Sequence, residues 1–136
     1  MAPDKAPSRT LIVVDDDHKI RATIRDIAES DGWTVLEAEN GKHMVEVCTK
    51  AKAEPDLVLL DMVMPEADGF EALERIEKLK CRARIVIMSG FAPHLAEAGV
   101  TIGRDRGLDV VGPLLKPFSN QDLRGVLTGT RRQARA

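Results

Sequence analysis

The stretch that decides the fold is "TLIVVDDDHKIRATI", residues 10–24. Its apolar run, Leu11–Val14, is short and rich in β-branched residues, as in strands that are buried on both faces of a parallel sheet. Three aspartates follow directly, and Ile20 and Ile24 then continue at helical spacing. Adjacent carboxylates repel one another, so the run raises the question of which cation offsets their charge.

The alternation of apolar strand and amphipathic helix continues along the chain. The predicted strands are Leu11–Val14, Thr34–Glu37, Leu57–Leu60, Ile85–Met88 and Val110–Leu115. Amphipathic helices are predicted between and after these strands, because apolar residues recur there at helical spacing. The four sets are Ile20, Ile24, Ile27 and Ala28; Met44, Val47, Cys48 and Ala51; Phe70, Leu73 and Ile76; and Leu123, Val126 and Leu127. This order predicts an α/β, (βα)5 doubly wound, five-stranded parallel sheet of the flavodoxin-like type, with strand order 2-1-3-4-5.

The fourth and fifth predicted helices differ in how clearly the sequence marks them. The fourth, at about residues 92–106, has the weakest pattern, and we predict an apolar side made of Leu95, Ala98 and Ile102. For the fifth, Ser119 is the predicted N-cap, with Asp122 three residues on as in a capping box.

Composition places few limits on function but excludes some classes. The chain has 136 residues, 43% hydrophobic and 31% charged, with a net charge of −2, so nucleic-acid binding by bulk charge is not expected. It has neither a membrane-length apolar run nor a secretory signal, which predicts a cytoplasmic protein.

We expect a disordered lead-in at residues 1–8, one domain at residues 9–130 and a basic tail at residues 131–136. Cys48 and Cys81 match no metal-site spacing and are predicted to be reduced thiols.

Polar residues gather where the predicted strands end. Those strand ends carry Asp15-Asp16-Asp17, Asp61, Ser89-Gly90 and Lys116-Pro117. Strands 1 and 3 are neighbours in the expected order, so their aspartates are predicted to share a pocket. Three carboxylates carry −3, and Mg²⁺ with one lysine carries +3, so the sequence predicts a magnesium site. A carboxylate in such a site can attack phosphorus, and Ser89 can donate a hydrogen bond to the phosphoryl group.

Four stretches taken in order resemble the receiver domain of two-component response regulators. They are "LIVVDDD", "PDLVLLDMVMPEADGFE", "IVIMSG" and "LLKPFS". The resemblance implies a chemotaxis-regulator-like fold and a switch that takes a phosphoryl group from a histidine kinase or phosphotransfer protein. It implies an unknown downstream protein as output and no enzyme activity beyond the chain's own phosphorylation and dephosphorylation. It implies no direct contact with nucleic acid or membrane.

The resemblance also implies a role for each matching residue. Asp61 matches the phosphoacceptor, and Asp15 and Asp16 match the acidic pair that binds Mg²⁺. Val63 matches the residue whose backbone carbonyl binds the metal, and Lys116 matches the lysine of the catalytic group.

The remaining matches concern the phosphoryl group and the turn after the phosphoacceptor. Ser89 matches the switch hydroxyl, with Gly90 beside it in the phosphoryl-binding turn. Met64-Pro65 and Asp68-Gly69 match the turn that follows the phosphoacceptor strand.

The chain departs from the common family pattern in two places. Pro113, after Gly112, stands where many receivers have a switching aromatic residue, and a proline inside a strand predicts that strand 5 lies at the sheet edge. Lys116 follows Ser89 by 27 positions, which predicts an altered fourth helix or a longer following loop. That length resembles receivers joined to cyclic-di-GMP phosphodiesterase domains. A stand-alone receiver and a piece of a longer protein are both open.

Three other functions compete with this interpretation. Asp15-x-Asp17 imitates the motif of haloacid-dehalogenase-type phosphatases, in which Asp15 would be the nucleophile and Asp17 the general acid. A flavodoxin-like FMN binder is rejected because three aspartates after strand 1 would repel the FMN phosphate. A receiver-like module that is never phosphorylated is disfavoured by the intact acidic pair, acceptor and lysine. In the receiver interpretation Asp17 is a helix-start residue, favoured by the helix dipole.

Overall fold

The computed structural model describes residues 9–63, 69–90 and 93–129. The strands are β1 (Thr10–Val14), β2 (Thr34–Ala38), β3 (Leu57–Asp61), β4 (Arg84–Ser89) and β5 (Val110–Leu115). The helices are α1 (His18–Ser30), α2 (Gly41–Ala51), α3 (Gly69–Lys78), α4 (Pro93–Asp105) and α5 (Asn120–Thr128). The predicted elements are thus confirmed, with strand ends that differ by at most one residue.

All five strands are parallel, in the order β2-β1-β3-β4-β5, which confirms the predicted doubly wound sheet. The helices cover both faces and form two hydrophobic layers. Helices α1 and α5 pack on one face, through Ile24 and Leu123 among others. Helices α2, α3 and α4 pack on the other, through residues such as Met44, Ile76 and Val100. Because both faces are covered, β1 and β3 are buried almost throughout, as their uninterrupted apolar runs predict.

The start of α5 follows the sequence closely. The Ser119 hydroxyl accepts a hydrogen bond from the Asp122 N–H at 2.9 Å, and the Asp122 carboxylate accepts one from the Ser119 N–H at 3.2 Å. This reciprocal pair is the predicted capping box.

The predicted apolar side of α4 was wrong. Leu95 and Ala98 are only partly buried and Ile102 is 36% exposed, whereas the buried residues of α4 are Ala96, Gly99, Val100 and Gly103. The physical reason is close approach of the helix to the sheet. A Cβ at Gly99 would lie 2.8 Å from Met62 Cε, and one at Gly103 would lie 2.5 Å from Val110 Cγ2. Helix α4 therefore packs largely through small residues, with Val100 among them, and a hydrophobicity pattern gives glycine little weight.

Strand β5 lies at the sheet edge, as Pro113 predicted. Between the β4 pairs of Val86 and Met88, the partner positions on β5 advance from Val111 to Leu114, so β5 carries one extra residue. The bulge contains Gly112, whose φ is +120° and whose Cβ, if present, would lie 3.0 Å from a β4 carbonyl oxygen. Part of the extra length before Lys116 is thus absorbed in a bulged strand, not only in the helix or loop.

No helix of the described part of the chain is long and apolar enough to cross a membrane. The expected lead-in at residues 1–8 and tail at residues 131–136 lie outside the described residues, as do residues 64–68 of the predicted turn after Asp61.

Candidate functional site

Three aspartates meet at the carboxyl edge of the sheet. Asp15 directly follows β1 and Asp61 ends β3, and these strands pair with Val14 beside Leu60. One carboxylate oxygen each from Asp15, Asp16 and Asp61 lies within 4.8 Å of the other two. Asp15 and Asp61 are buried and Asp16 is exposed. The predicted common pocket of these aspartates is confirmed as geometry.

Lys116 reaches this group from the other side. It follows β5, and its N–H donates to the Ser89 carbonyl at 2.7 Å. Its Nζ lies 2.6 Å from Asp15 Oδ2 and 3.2 Å from Asp61 Oδ2, with the lysine side chain only 15% exposed. A single ammonium therefore joins the two buried carboxylates.

The charges of this group do not balance within the chain. Asp15, Asp16 and Asp61 bring −3 when ionised, and Lys116 offsets one of these charges. Three converging carboxylate oxygens with an excess charge of −2 are the donor set that a hard divalent cation such as Mg²⁺ prefers. The residues present thus fit the metal that the sequence predicts.

Backbone hydrogen bonds hold the two buried carboxylates in place. Asp15 Oδ1 accepts from the Asp17 N–H at 2.9 Å, and Asp61 Oδ1 accepts from the Val63 N–H at 3.1 Å. In both aspartates the second oxygen, Oδ2, is the one that contacts Lys116. Each carboxylate is therefore oriented before any ligand binds, which is the preorganisation that an electrostatic site needs.

Burial and neighbouring charge shift the proton affinities in the pocket. Burial raises the pKa of Asp61 above its usual value, and the Asp15 charge adds to this, outweighing the Val63 N–H and Lys116. For Lys116, burial alone would lower the pKa, but the hydrogen bond and charge of Asp15, with those of Asp61, raise it overall. Lys116 therefore stays charged at neutral pH, whereas the buried Asp61 loses its proton less readily than an exposed aspartate.

Asp17 has a different environment from its two neighbours. It is exposed and is the N-cap of α1, where its Oδ1 accepts from the Lys19 N–H at 2.9 Å. This bond lowers the pKa of the Asp17 carboxyl. The prediction that Asp17 is a helix-start residue is confirmed.

The predicted phosphoryl-binding residues lie beside the acidic group. Ser89 ends β4 and is 2% exposed, one residue beyond Met88, which pairs with Asp61. Gly90 is exposed and lies against the lysine stem, since a Cβ there would be 3.5 Å from Lys116 Cδ.

Sequence reasoning missed Arg21. Its Nη1 donates to the Asp15 carbonyl oxygen at 2.6 Å, and its Nε contacts Glu37 Oε1 at 3.0 Å. Arg21 thus ties the backbone of the acidic pair to β2, and its side chain is only 12% exposed. The sequence feature that could have identified Arg21 is its position one helical turn after the Asp17 N-cap. A side chain at that position points back toward the end of β1.

Comparison with known proteins agrees with this geometry. The family model described as "Response regulator receiver domain" matches residues 11–128. The chain belongs to the response regulator receiver family. It is 31% identical to the sporulation initiation phosphotransferase F of Bacillus subtilis over 84% of this chain and 86% of that protein. It is 41% identical to the chemotaxis protein CheY of the same organism over 60% of this chain and 67% of that protein.

The fold comparison gives the same result. A response regulator of Thermotoga maritima, TrrA, solved in complex with Mg²⁺ and BeF, superposes with a TM-score of 0.69 at 24% identity, over 88% of this receiver and 96% of that chain. This likeness supports the fold. Other relatives of the receiver, among them sensor kinases, are matched over about half of their length or less.

Proposed function

We propose that this receiver accepts a phosphoryl group on Asp61 from a histidine kinase or a histidine phosphotransfer protein, with Mg²⁺ as cofactor. The observation that supports this proposal best is the bridge from Lys116 Nζ to Asp15 and Asp61, with an Asp16 oxygen close by. A strand-end aspartate with a structural role needs neither a buried lysine nor two further carboxylates.

Each residue has a defined part in the transfer. An Asp61 carboxylate oxygen forms the new bond to phosphorus, while the bond from phosphorus to the donor histidine nitrogen breaks and the nitrogen keeps the electron pair. Lys116 is the fixed positive charge beside the phosphoryl oxygens, and the Ser89 hydroxyl and the turn at Gly90 would bind those oxygens.

Asp15, Asp16, Asp61 and the Val63 backbone carbonyl would hold Mg²⁺. When bound, the ion supplies charge stabilisation for the phosphoryl group. The chain's own contribution is to fix these donors through the backbone bonds to Asp15 and Asp61.

The output is a change of surface and not turnover of a substrate. Phosphorylation adds negative charge and acceptor oxygens next to Lys116 and Ser89, which biases a two-state element toward one arrangement. We propose that this element is the α4, β5 and α5 surface, that it binds a downstream protein, and that the receiver extends over residues 9–130. The proposed partners favour a cytoplasmic location, as does the predicted reduced state of Cys48 and Cys81, which form no disulfide.

The position of Asp17 argues against the phosphatase interpretation, in which Asp17 would be the general acid. Asp17 is outside the acidic group, and its Oδ1 caps α1 through the Lys19 N–H. Asp15, its proposed nucleophile, is fully buried and holds Lys116 at 2.6 Å.

Incubation of the chain with acetyl phosphate and Mg²⁺ tests the proposal. We expect an acid-stable, hydroxylamine-sensitive phosphoryl group on Asp61, detected by peptide mass spectrometry, and its loss when Mg²⁺ is chelated. The variant Asp61→Asn removes the nucleophile, and Asp31→Asn is the matched control, since Asp31 is an exposed aspartate paired with Arg124. Phosphorylation of Asp61→Asn at the wild-type level would contradict the proposal, and its loss only in Asp15→Asn would support the phosphatase.

A further inference from the structure

A cleft of about 530 Å³ opens at the amino ends of the strands, whereas Asp61 lies at their carboxyl ends. Its walls come from the C-terminal halves of α2 and α3, and Val58 of β3 forms its floor. The two helices touch at their other ends, where a Cβ at Gly41 would lie 2.9 Å from Ala72 Cα. The contact at Gly41 and the gap near Cys48 make the space between the helices a wedge that widens toward solvent.

The interior of this cleft is apolar and carries two thiols. Met44 and Ile76 line it from α2 and α3, and both are buried. Cys48 and Cys81, which are 33 positions apart in the chain, face the same space and form no disulfide. At the rim, Leu79 is 52% exposed, which is unusual for a large aliphatic side chain.

The mouth of the cleft is positively charged. Lys52, Lys80 and Arg82 line it, opposed by one acid, Glu54, which lies 3.8 Å from Arg82. Neither Lys52 nor Lys80 forms an ion pair with any residue in the described ranges. Two exposed, unpaired ammonium groups therefore flank an apolar wedge.

The backbone under these two lysines is a separate observation. In the described residues, the only non-glycine positions with positive φ are Lys52, at 52°, and Lys80, at 55°. Each follows a helix, and the next residue closes the helix end: the Ala53 N–H bonds to the Cys48 carbonyl, and the Cys81 N–H to the Ile76 carbonyl. Glycine or asparagine is the usual residue at such a position. Lysine near a helix C-terminus is favoured by the helix dipole, and at these two positions it also places both ammonium groups at the mouth of the cleft.

We propose that this cleft binds an amphipathic anion, a small molecule with an aliphatic body and one carboxylate or phosphate group. The apolar wedge would take the aliphatic body, and Lys52 and Lys80 would pair with the anionic group at the mouth. The volume lies in the range of small-molecule sites, and the cleft is closed on three sides by two helices and the sheet. None of the residues that line the cleft belongs to the acidic group around Asp61.

Thiol alkylation of the full chain tests the proposal, with dodecanoate as the probe. N-ethylmaleimide labelling of Cys48 and Cys81 is followed residue by residue by mass spectrometry near neutral pH, where maleimides are selective for thiols. Dodecanoate, kept below its micelle concentration, should slow labelling of both thiols about tenfold when present at ten times its Kd. Dodecyltrimethylammonium, with the same chain and a cationic head, should give no protection.

Variants that remove a positive charge distinguish an anion-binding site from a cleft that binds any apolar chain. Lys52→Asn and Lys80→Asn remove the charge and keep a residue that tolerates positive φ, and each should weaken dodecanoate binding about threefold. Lys42→Asn, an exposed lysine at the other end of α2, is the matched control and should leave binding unchanged.

Four results would overturn the inference. Equal protection by both amphiphiles, no thiol protection, or unchanged affinity in the lysine variants would each do so. Protection by an acidic leucine-rich peptide but not by dodecanoate would assign the cleft to a protein partner instead.

Discussion

Replacing Asp61 by asparagine should stabilise the fold in the absence of divalent cations. The substitution keeps the shape and an oxygen that can accept from the Val63 N–H, now 3.1 Å from Asp61 Oδ1. It removes a charge from a site that is 4% exposed and that faces the Asp15 carboxylate. Lys116 loses its 3.2 Å contact but keeps the shorter one, 2.6 Å from Asp15 Oδ2. An incompletely compensated buried charge costs about 1–3 kcal/mol, so we expect Asp61→Asn to raise the free energy of unfolding by at least about 1 kcal/mol.

The pH dependence follows from the same pKa shift. The pKa of Asp61 is raised in the folded chain by burial and by Asp15, so the ionised carboxylate destabilises the fold above that pKa. This penalty disappears as the pH falls from the folded pKa toward the unfolded value of about 3.9. The stability difference between Asp61→Asn and the wild type should therefore be largest above the folded pKa and shrink as the pH falls from that pKa toward the unfolded value.

Urea denaturation with chelator and with excess Mg²⁺ measures both effects. Mg²⁺ at ten times its Kd should stabilise the wild type by about 1.4 kcal/mol and Asp61→Asn by less, because the variant lacks the negative charge of one carboxylate. Asp31→Asn is the surface control, and we expect it to stay within about 0.5 kcal/mol of the wild type. Our account of the charge balance is refuted if Asp61→Asn is no more stable than the wild type in chelator. It is also refuted if Mg²⁺ stabilises both equally.

Four further substitutions test the loss of the phosphoryl group, the helix packing and the acidic pair. Val63→Asn should speed loss of the phosphoryl group, because an apolar side chain there cannot orient a water; an unchanged rate in a phosphate-release assay would contradict this. Gly41→Ala should destabilise the fold by about 1–3 kcal/mol in thermal or urea unfolding, because its Cβ would meet Ala72 Cα at 2.9 Å. Gly125→Ala, in a helix with nothing within 4 Å, should stabilise by up to about 1 kcal/mol. Arg21→Met should weaken Mg²⁺ binding about tenfold in a calorimetric titration while leaving the fold intact, and unchanged affinity would argue against its positioning role.

The strands and helices could be predicted from the sequence because burial of both faces of the sheet produces a recognisable local pattern of apolar residues. An apolar run such as Leu57–Leu60 is typical of a strand that is covered on both faces, and its end is marked by the polar residue that follows. The edge position of β5 was equally local, since Pro113 cannot donate a ladder hydrogen bond.

Helix α4 shows where this local reasoning ends. Hydrophobicity pointed to Leu95, Ala98 and Ile102, but the helix turns Gly99 and Gly103 to the sheet. How closely two elements approach depends on the shapes of both partners. The Met62 side chain that meets α4 is distant in the chain and carries no signal within the helix.

The sequence by itself determined the layered fold, the convergence of Asp15, Asp16 and Asp61 with Lys116, and the separate capping role of Asp17. These follow from strand order and from charge, which have few stable solutions. Only the tertiary structure decided that Arg21 holds the acidic pair and that Cys48 and Cys81 share one cleft. Side chains far apart in the chain meet according to helix packing, and packing depends on the three-dimensional fit of whole elements.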